Sequence, residues 1–180
     1  NWISINSPIS NRLIERHLDQ EICIATLGRW YPECGIVDID NKPFDEVLII
    51  RETLGFDENN SLLYNSETPG NYHILFKPEY RNKPPTLKLL NSILKNSVQK
   101  LGCEIHPQEN KTIRLPFGLN QRGVDSGFEL LPWNKSVYWF GKIDSFDLSI
   151  FNSKFVYQNQ NYKQTSFNYS KVFTNGNELL

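Results

Sequence analysis

The order of helical and strand-like segments is the feature that most constrains how this chain folds. Apolar residues recur at helical spacing in segments 44–56 and 86–102, and a shorter helix is predicted over 7–18. Short runs rich in branched and aromatic residues predict strands at 21–28, 34–40, 61–66, 71–78, 103–106, 112–117 and 136–143. This succession predicts an α/β or α+β protein, in which a mixed or antiparallel sheet fits better than a doubly wound parallel one.

Length and composition predict one domain of ordinary size. The chain has 180 residues, of which 39% are hydrophobic and 22% charged, as in a globular protein. We assign the domain to residues 1–150. Residues 151–180, which are dominated by Asn, Gln, Ser, Lys and aromatic side chains, are treated as a polar flank that either completes the core or leads into a further region.

Membrane and disulfide-bonded classes are disfavoured. No stretch approaches the roughly 18 apolar residues of a membrane-spanning helix, and the first residues lack the basic start and apolar core of a signal peptide. The cysteines Cys23, Cys34 and Cys103 show no CxxC spacing, which argues against a disulfide framework and a zinc ribbon and favours a reducing compartment. We therefore expect a cytoplasmic protein with no membrane partner.

Charge is distributed unevenly along the chain, although the formal net charge is only −1. Residues 1–76 hold 5 Lys or Arg and 12 Asp or Glu, residues 77–122 hold 9 and 3, and residues 123–180 hold 5 and 5. An acidic first part followed by a basic middle part suits a metal site beside a phosphate-binding surface. Two solvated faces of opposite charge would give the same distribution.

Asp38 and Asp40 end an apolar run, with Ile39 between them. Alternate residues of a strand share a face, so both carboxylates are predicted on the same side of the sheet. Neighbouring carboxylates repel each other unless a cation lies between them, and their oxygens suit hard ions such as Mg²⁺ or Mn²⁺. The alternative is a turn at the strand end with two solvated aspartates.

Three residues further along can bind a phosphate or a cation. His73 follows a Gly-bearing turn and can donate a hydrogen bond to a phosphate, Glu104 is a potential third carboxylate, and Arg114 can hold a phosphate through a bidentate fork. Each can instead be an ordinary structural or surface residue. No GxSxG, P-loop or HExxH motif competes, and the histidines, which include His17 and His106, are too scattered in the sequence to suggest a zinc site.

Taken in order, these motifs resemble the primase-polymerase catalytic core of the archaeo-eukaryotic primase superfamily. The first motif is VDID, with Asp38 and Asp40; the second is TPGNYHILF, with His73; the third is EIHPQENKTIRLPFG, with Glu104 and Arg114. An acidic-hydrophobic-x-Pro segment that leads into RLPFG is similar to the primase domains of prokaryotic mobile-element and conflict systems in particular. The resemblance covers about residues 20–140.

The resemblance implies an RRM-like sheet with helices packed on one side, joined to a small N-terminal α/β unit, and an active site on the open face. It implies that Asp38, Asp40 and Glu104 are catalytic and hold two Mg²⁺ or Mn²⁺ ions, although the third acid of the family is more commonly Asp than Glu.

Nucleotide and nucleic-acid contacts are also implied. The residues that would hold the phosphates of the incoming nucleoside triphosphate are His73, Asn71 and Arg114, with Asn71 in the place where the second motif usually has Ser. The residues expected along the backbone of a DNA or RNA template and primer are Lys77, Arg81, Lys83 and Arg122. Two aromatic residues either stack on bases or belong to the core, namely Tyr72 and Trp133.

The predicted function is that of a DNA primase or polymerase, which transfers nucleotides from dNTPs or NTPs to a 3′-hydroxyl on a nucleic-acid template. A helicase or nuclease is a potential fused or associated partner. The main alternative is a catalytically inactive, RRM-like module that binds nucleic acid. A nuclease or nicking enzyme would need a tyrosine near paired histidines, and the sequence contains no His-x-His.

Overall fold

The computed structural model describes residues 8–27, 33–66, 68–119, 121–124 and 133–151. Within these ranges the protein is α+β, which confirms the predicted class. The helices are α1 (Asn11–Leu18), α2 (Phe44–Thr53), α3 (Leu87–Lys100) and α4 (Trp133–Lys142). The strands are β1 (Ala25–Leu27), β2 (Gly35–Ile39), β3 (Ser61–Asn65), β4 (Tyr72–Glu79), β5 (Glu104–His106), β6 (Thr112–Arg114) and β7 (Ser145–Asp147), with a 3₁₀ turn at Leu148–Phe151.

The main sheet has the order β3-β4-β2-β5, and these neighbouring strands run antiparallel. β7 pairs in parallel with the C-terminal end of β4, so the sheet is mixed. The succession β2-α2-β3-β4-α3-β5 is that of a split βαβ arrangement. It joins parallel strands through α2 and through α3, and right-handed crossovers place both helices on the same face of the sheet.

The larger core lies between the sheet and these two helices. Strand residues alternate between the two faces, and those that face the helices are Val37, Ile39, Leu63, Ile74, Phe76 and Ile105. The helices contribute apolar residues at three- and four-residue spacing: Val47, Ile50 and Leu54 from α2 and its last turn, and Leu90, Ile93, Leu94 and Val98 from α3.

The opposite face of the sheet is partly covered by elements from the ends of the chain. A smaller apolar cluster lies there, formed by Ile36, Leu62, Tyr64, Leu75, Ile113 and Phe117. Val137 and Phe140 of α4 pack against this cluster. α2 and α3 thus lie on one face of the sheet. α4 lies on the opposite face, which a fold with all its helices on one side would leave open.

The N-terminal helix and strand are attached to the rest of the protein through β6. β1 pairs antiparallel with β6 in a separate two-stranded sheet, with Ala25 opposite Arg114. His17, at the end of α1, is buried and accepts the N–H of Ile24 at its Nδ1 atom (3.2 Å). Its Nε2 atom lies 3.0 Å from the carbonyl oxygen of Pro116. One imidazole therefore joins α1 to the residue before β1 and to the segment after β6.

Several predicted elements differ from the structure. The predicted strand over 136–143 is wrong, because most of this segment belongs to α4. Its branched and aromatic residues favour a strand, but Ser136, Val137 and Phe140 face the protein at helical spacing, which leaves Tyr138 and Trp139 exposed. The predicted strands at 21–28 and 112–117 shorten to β1 and β6, and β7 was not predicted because three residues carry no recognisable period.

In the part of the chain that the structure describes, no helix combines the length and apolar character needed to cross a membrane. Among the described residues, Cys23, Cys34 and Cys103 form no disulfide bond. Residues 152–180, which make up nearly all of the predicted polar flank, lie outside the described residues.

Candidate active site

The central strands bring residues of the three motifs together. Asp38 on β2 lies opposite His73 on β4 and, on its other side, opposite Glu104 on β5. Asp38 follows Ile36 by two residues, so these side chains share the face that α2 and α3 do not cover. Residues far apart in the sequence thus form one row across three strands.

A chain of hydrogen bonds runs along this row. His73 is buried; its Nε2 atom lies 3.0 Å from Asp38 Oδ1, and its Nδ1 atom lies 2.8 Å from the hydroxyl oxygen of Tyr64. Burial raises the pKa of Tyr64 well above its usual value, so the phenol keeps its proton and can donate it to Nδ1. His73 donates its Nε2–H to Asp38, and both ring nitrogens have partners.

The groups around Asp38 favour its charged form. Burial raises the pKa of this carboxyl, but the hydrogen bond from His73 and the charges of His73, His106 and Lys111 outweigh burial. The net effect lowers the pKa of Asp38 below its ordinary value of 3.8. Asp38 is therefore an ionised carboxylate at neutral pH, with its side chain 21% exposed.

Asp40 lies just beyond the end of β2 and is exposed to solvent. Its pKa is raised, first by partial burial and then by repulsion from Asp38 and, more weakly, from Glu104. The chain turns at Asn41, which has a positive φ of 53° and donates its backbone N–H to Asn71 Oδ1 at 2.9 Å. Asn71, predicted to contact phosphate, thus ties the turn after Asp40 to the turn before β4.

Glu104 begins β5 and is half-exposed. Its Oε2 atom lies 2.6 Å from the ammonium nitrogen of Lys111, which follows in the loop before β6. A positive charge is therefore already in contact with the predicted third carboxylate.

Sequence reasoning missed His106, which the structure brings to the same carboxylates. Its Nε2 atom lies 3.6 Å from Glu104 Oε2 and 3.9 Å from Asp38 Oδ2, and its Nδ1 atom is buried without a hydrogen-bond partner. Burial lowers the pKa of His106, although Asp38 and Glu104 oppose this. The signal was present in the sequence, since His106 alternates with Glu104 in a predicted strand and so shares its face.

Two other predicted residues have structural contacts. Lys77 donates its ammonium hydrogens to the carbonyl oxygens of Gly141 (3.2 Å) and Ile143 (2.9 Å), at the end of α4. Arg122 binds Gln20 Oε1 through its guanidinium (2.5 Å) and Asn65 Oδ1 through its backbone N–H (2.6 Å). Their roles as nucleic-acid contacts remain predictions.

The remaining predicted residues lie outside the row. Arg114, half-buried, ends β6 in the small sheet, and Arg81 and Lys83 are exposed in the turn that follows β4. Tyr72 packs against Phe44 with the ring centroids 5.3 Å apart, on the face covered by the helices, so its contacts are those of a core residue. The side chain of Trp133 lies outside the described residues.

The side chains of Asp38, Glu104 and His106 are of types that bind divalent cations, but they are not arranged to surround one. Among the residues that the structure describes, no three or more His, Cys, Asp or Glu side chains are grouped so that they could hold a metal ion. Asp38 is engaged by His73, and Glu104 by Lys111. Two carboxylates beside an unpartnered imidazole are nevertheless the ligand types that divalent metals use.

The scan against protein-family models gives no match to this chain, and the search of curated proteins gives none either.

Proposed function

We propose that this protein is a primase-polymerase, which catalyses metal-dependent nucleotidyl transfer from nucleoside triphosphates to a 3′-hydroxyl on a DNA or RNA template. One observation carries the proposal: Asp38 of the first motif has His73 of the second and Glu104 of the third as its cross-strand neighbours. The antiparallel order β3-β4-β2-β5 also agrees with the RRM-like sheet that the sequence resemblance implies.

The carboxylates Asp38, Asp40 and Glu104 would hold two Mg²⁺ or Mn²⁺ ions. When bound, such ions supply charge neutralisation at the triphosphate and a lower pKa for the attacking hydroxyl. Because the groups around Asp38 keep it ionised, it is ready to bind a cation without first losing a proton. Lys111 must leave Glu104 before that carboxylate can take part.

Phosphate recognition is assigned to His73 and Arg114, with Asn71 holding the turn beside them. His73 can offer a phosphate its Nε2–H only if Asp38 gives up that hydrogen bond, which happens when Asp38 turns toward a cation. The exposed turn with Arg81 and Lys83 would contact the template or primer backbone, a contact without base specificity.

The first test is primer extension with Mn²⁺ or Mg²⁺ on a labelled primer and DNA template, with dNTPs or NTPs. We expect Asp38→Asn/Asp40→Asn to lower extension at least about a hundredfold, because charge stabilisation at the reacting phosphate is lost. The variant should still unfold cooperatively, because relief of the repulsion that raises the pKa of Asp40 offsets part of the stabilisation lost with the Asp38 carboxylate.

The matched control is Asp19→Asn/Asp45→Asn, which removes the same charge from exposed positions on α1 and α2. This control should extend primers like the wild-type protein. Metal-dependent extension that survives in Asp38→Asn/Asp40→Asn would contradict the proposed site.

A second candidate is an inactive, RRM-like module that binds nucleic acid. It is favoured because protein groups already contact the atoms that would otherwise bind a ligand, namely both nitrogens of His73 and one oxygen of Glu104. Binding of single-stranded DNA that persists in EDTA, together with no extension under any metal, would select this function over the first.

A further inference from the structure

α4 packs on the face of the sheet that carries Asp38, His73 and Glu104, and the proposed reaction does not use its outer surface. We propose that this surface binds one unpaired base of a single-stranded nucleic acid, with Trp139 as the stacking platform and with a preference for guanine. The inference rests on the proposed function for the class of ligand, because it says where the protein holds an unpaired part of the strand and which base it favours there.

The first observation is the side of α4 that faces solvent. Trp139 is 49% exposed, whereas its neighbour Phe140 packs against the apolar cluster under the helix. Lys135 and Lys142 are exposed one turn before and one turn after Trp139, so the three side chains lie on one side of the helix. An aromatic ring between two cations matches a single strand, whose bases stack on aromatic rings while its phosphates contact cations.

The second observation is a cleft beside the indole ring. It lies between the end of α4 and the loop after α2, is open to solvent and has a volume of about 300 Å³. This volume is at the lower end of the range for ligand pockets, about 300–1,000 Å³, so the cleft suits a single ring system. The side chains and backbone that line it belong to Glu58, Asn59, Trp139, Lys142, Ile143 and Asp144.

The walls of this cleft are held in place by hydrogen bonds within the protein. Asp144 donates its backbone N–H to the carbonyl oxygen of Asn59 at 2.7 Å, which joins the end of α4 to the loop. In the loop, the carboxylate of Asp57 accepts the backbone N–H groups of Asn59 (2.8 Å) and Asn60 (3.1 Å). Because the cleft is already formed, a ligand does not have to order these segments when it binds.

The preference for guanine follows from the acceptors in the cleft. Glu58 and Asp144 contribute carboxylates, which accept hydrogen bonds and donate none. The Watson–Crick edge of guanine carries two neighbouring donors, N1–H and the N2 amino group, and the two oxygens of one carboxylate can accept both. On the other bases an acceptor lies next to the donor and would face the negative charge. The carboxylates also repel phosphates, so the cleft takes the uncharged base and leaves the phosphates to the lysines.

The test is binding of single-stranded DNA to the full chain in EDTA, which prevents nucleotidyl transfer. Fluorescence anisotropy compares a labelled oligo-dT strand that has one central guanine with the same strand that has a central adenine. We expect the wild-type protein to bind the guanine strand about tenfold more tightly. Trp139→Ala should weaken binding of the guanine strand about tenfold, to the level of the adenine strand, whereas Trp139→Phe keeps a stacking ring and should retain the preference.

The role of the carboxylates is tested with Glu58→Gln/Asp144→Asn. This variant should still bind both strands but lose the preference for guanine, because an amide offers a donor as well as an acceptor. The matched control, Asp45→Asn/Glu52→Gln, removes the same charge from α2 on the opposite face of the sheet and should keep the preference. All the exchanged side chains are exposed, so we expect every variant to fold, which melting curves check.

The outcomes separate this inference from the proposed function. If the wild-type protein shows no preference for guanine, or if the preference survives in Trp139→Ala or in Glu58→Gln/Asp144→Asn, the base site is overturned, and metal-dependent extension still supports the polymerase. If these variants lose the preference and the wild-type protein extends no primer with either metal, the base site is supported and the polymerase is overturned in favour of the binding module.

Discussion

The surroundings of Asp38 favour its charged form. Burial opposes that form, but His73 and the nearby positive charges more than compensate, so the folded pKa lies below 3.8. A carboxyl with a depressed pKa in the folded state stabilises the fold above its unfolded pKa, and this contribution is lost as the pH falls through the folded value.

We therefore expect the wild-type protein, without metal, to lose free energy of unfolding below pH 3.8 relative to Asp38→Asn. Urea unfolding of both proteins at neutral pH and at a series of lower values measures this difference. His73→Leu, which removes the hydrogen bond and the charge beside Asp38, should abolish most of it. Parallel loss of stability in the wild type and Asp38→Asn would contradict the assignment.

At the scale of elements, Lys77 connects β4 to α4. A cation at the C-terminal end of a helix satisfies carbonyl groups that have no partner within the helix, and Lys77 contacts two such oxygens and lies 5.5 Å from the centroid of Phe140. Lys77→Met keeps the aliphatic stem and should lower the free energy of unfolding by about 1–2 kcal/mol.

Denaturant unfolding measures this effect, with Lys95→Met on the exposed side of α3 as the control. Binding of single-stranded DNA by the same variants tests the other role predicted for Lys77. Unchanged stability with weakened DNA binding would assign Lys77 to nucleic acid and contradict its role at α4.

Gly118 is required where the segment after β6 meets α1. A Cβ atom at this position would lie 2.1 Å from His17 Cε1, and the imidazole cannot move away without losing its bonds to Ile24 and Pro116. We expect Gly118→Ala to cost about 1–3 kcal/mol of stability. Gly141→Ala, on α4, is the control: its Cβ meets nothing within 4 Å, and Ala is the better helix former. Thermal melting compares the two, and equal effects would contradict this packing.

Sequence patterns predicted best the elements that are long enough for the apolar spacing to repeat several times. The apolar spacing of 44–56 and 86–102 predicted α2 and α3, because a helix of three or four turns repeats its buried face. α4 was misassigned because its residues have high strand propensity, and propensity alone cannot tell that Val137 and Phe140 pack on one face while Tyr138 and Trp139 are exposed.

At the site, the row of Asp38, His73 and Glu104 was anticipated as a set of motifs, but its contacts were not. Tyr64 comes from a segment outside the three motifs, whereas His106 and Lys111 lie within the third motif; the strand register brings Tyr64 to His73 and His106 toward Asp38. Register depends on which strands pair, and a single sequence does not determine that pairing.

For the whole molecule, the uneven charge of the chain leads to a test of the proposed binding of nucleic acid. If the turn after β4 contacts phosphates, Arg81→Ala/Lys83→Ala should reduce the slope of log affinity against log salt by about 2 for single-stranded DNA. The matched control, Lys95→Ala/Lys100→Ala, removes the same charge from α3, which packs on the face of the sheet opposite to the row of Asp38, His73 and Glu104. Fluorescence anisotropy over a salt series gives both slopes, and equal slopes would place the DNA elsewhere.

The small sheet of β1 and β6 joins two pieces of chain that have the strands β2 to β5 of the main sheet between them in the sequence. Closing so long a loop costs conformational entropy, and contacts of the intervening residues offset this cost only after those residues are ordered. The elements from β2 to β5 form a continuous segment and can assemble first, and α1 and β1 then close against β6. We therefore expect folding to build Asp38, His73 and Glu104 into the segment that assembles first, before β1 closes against β6, the strand that ends at Arg114.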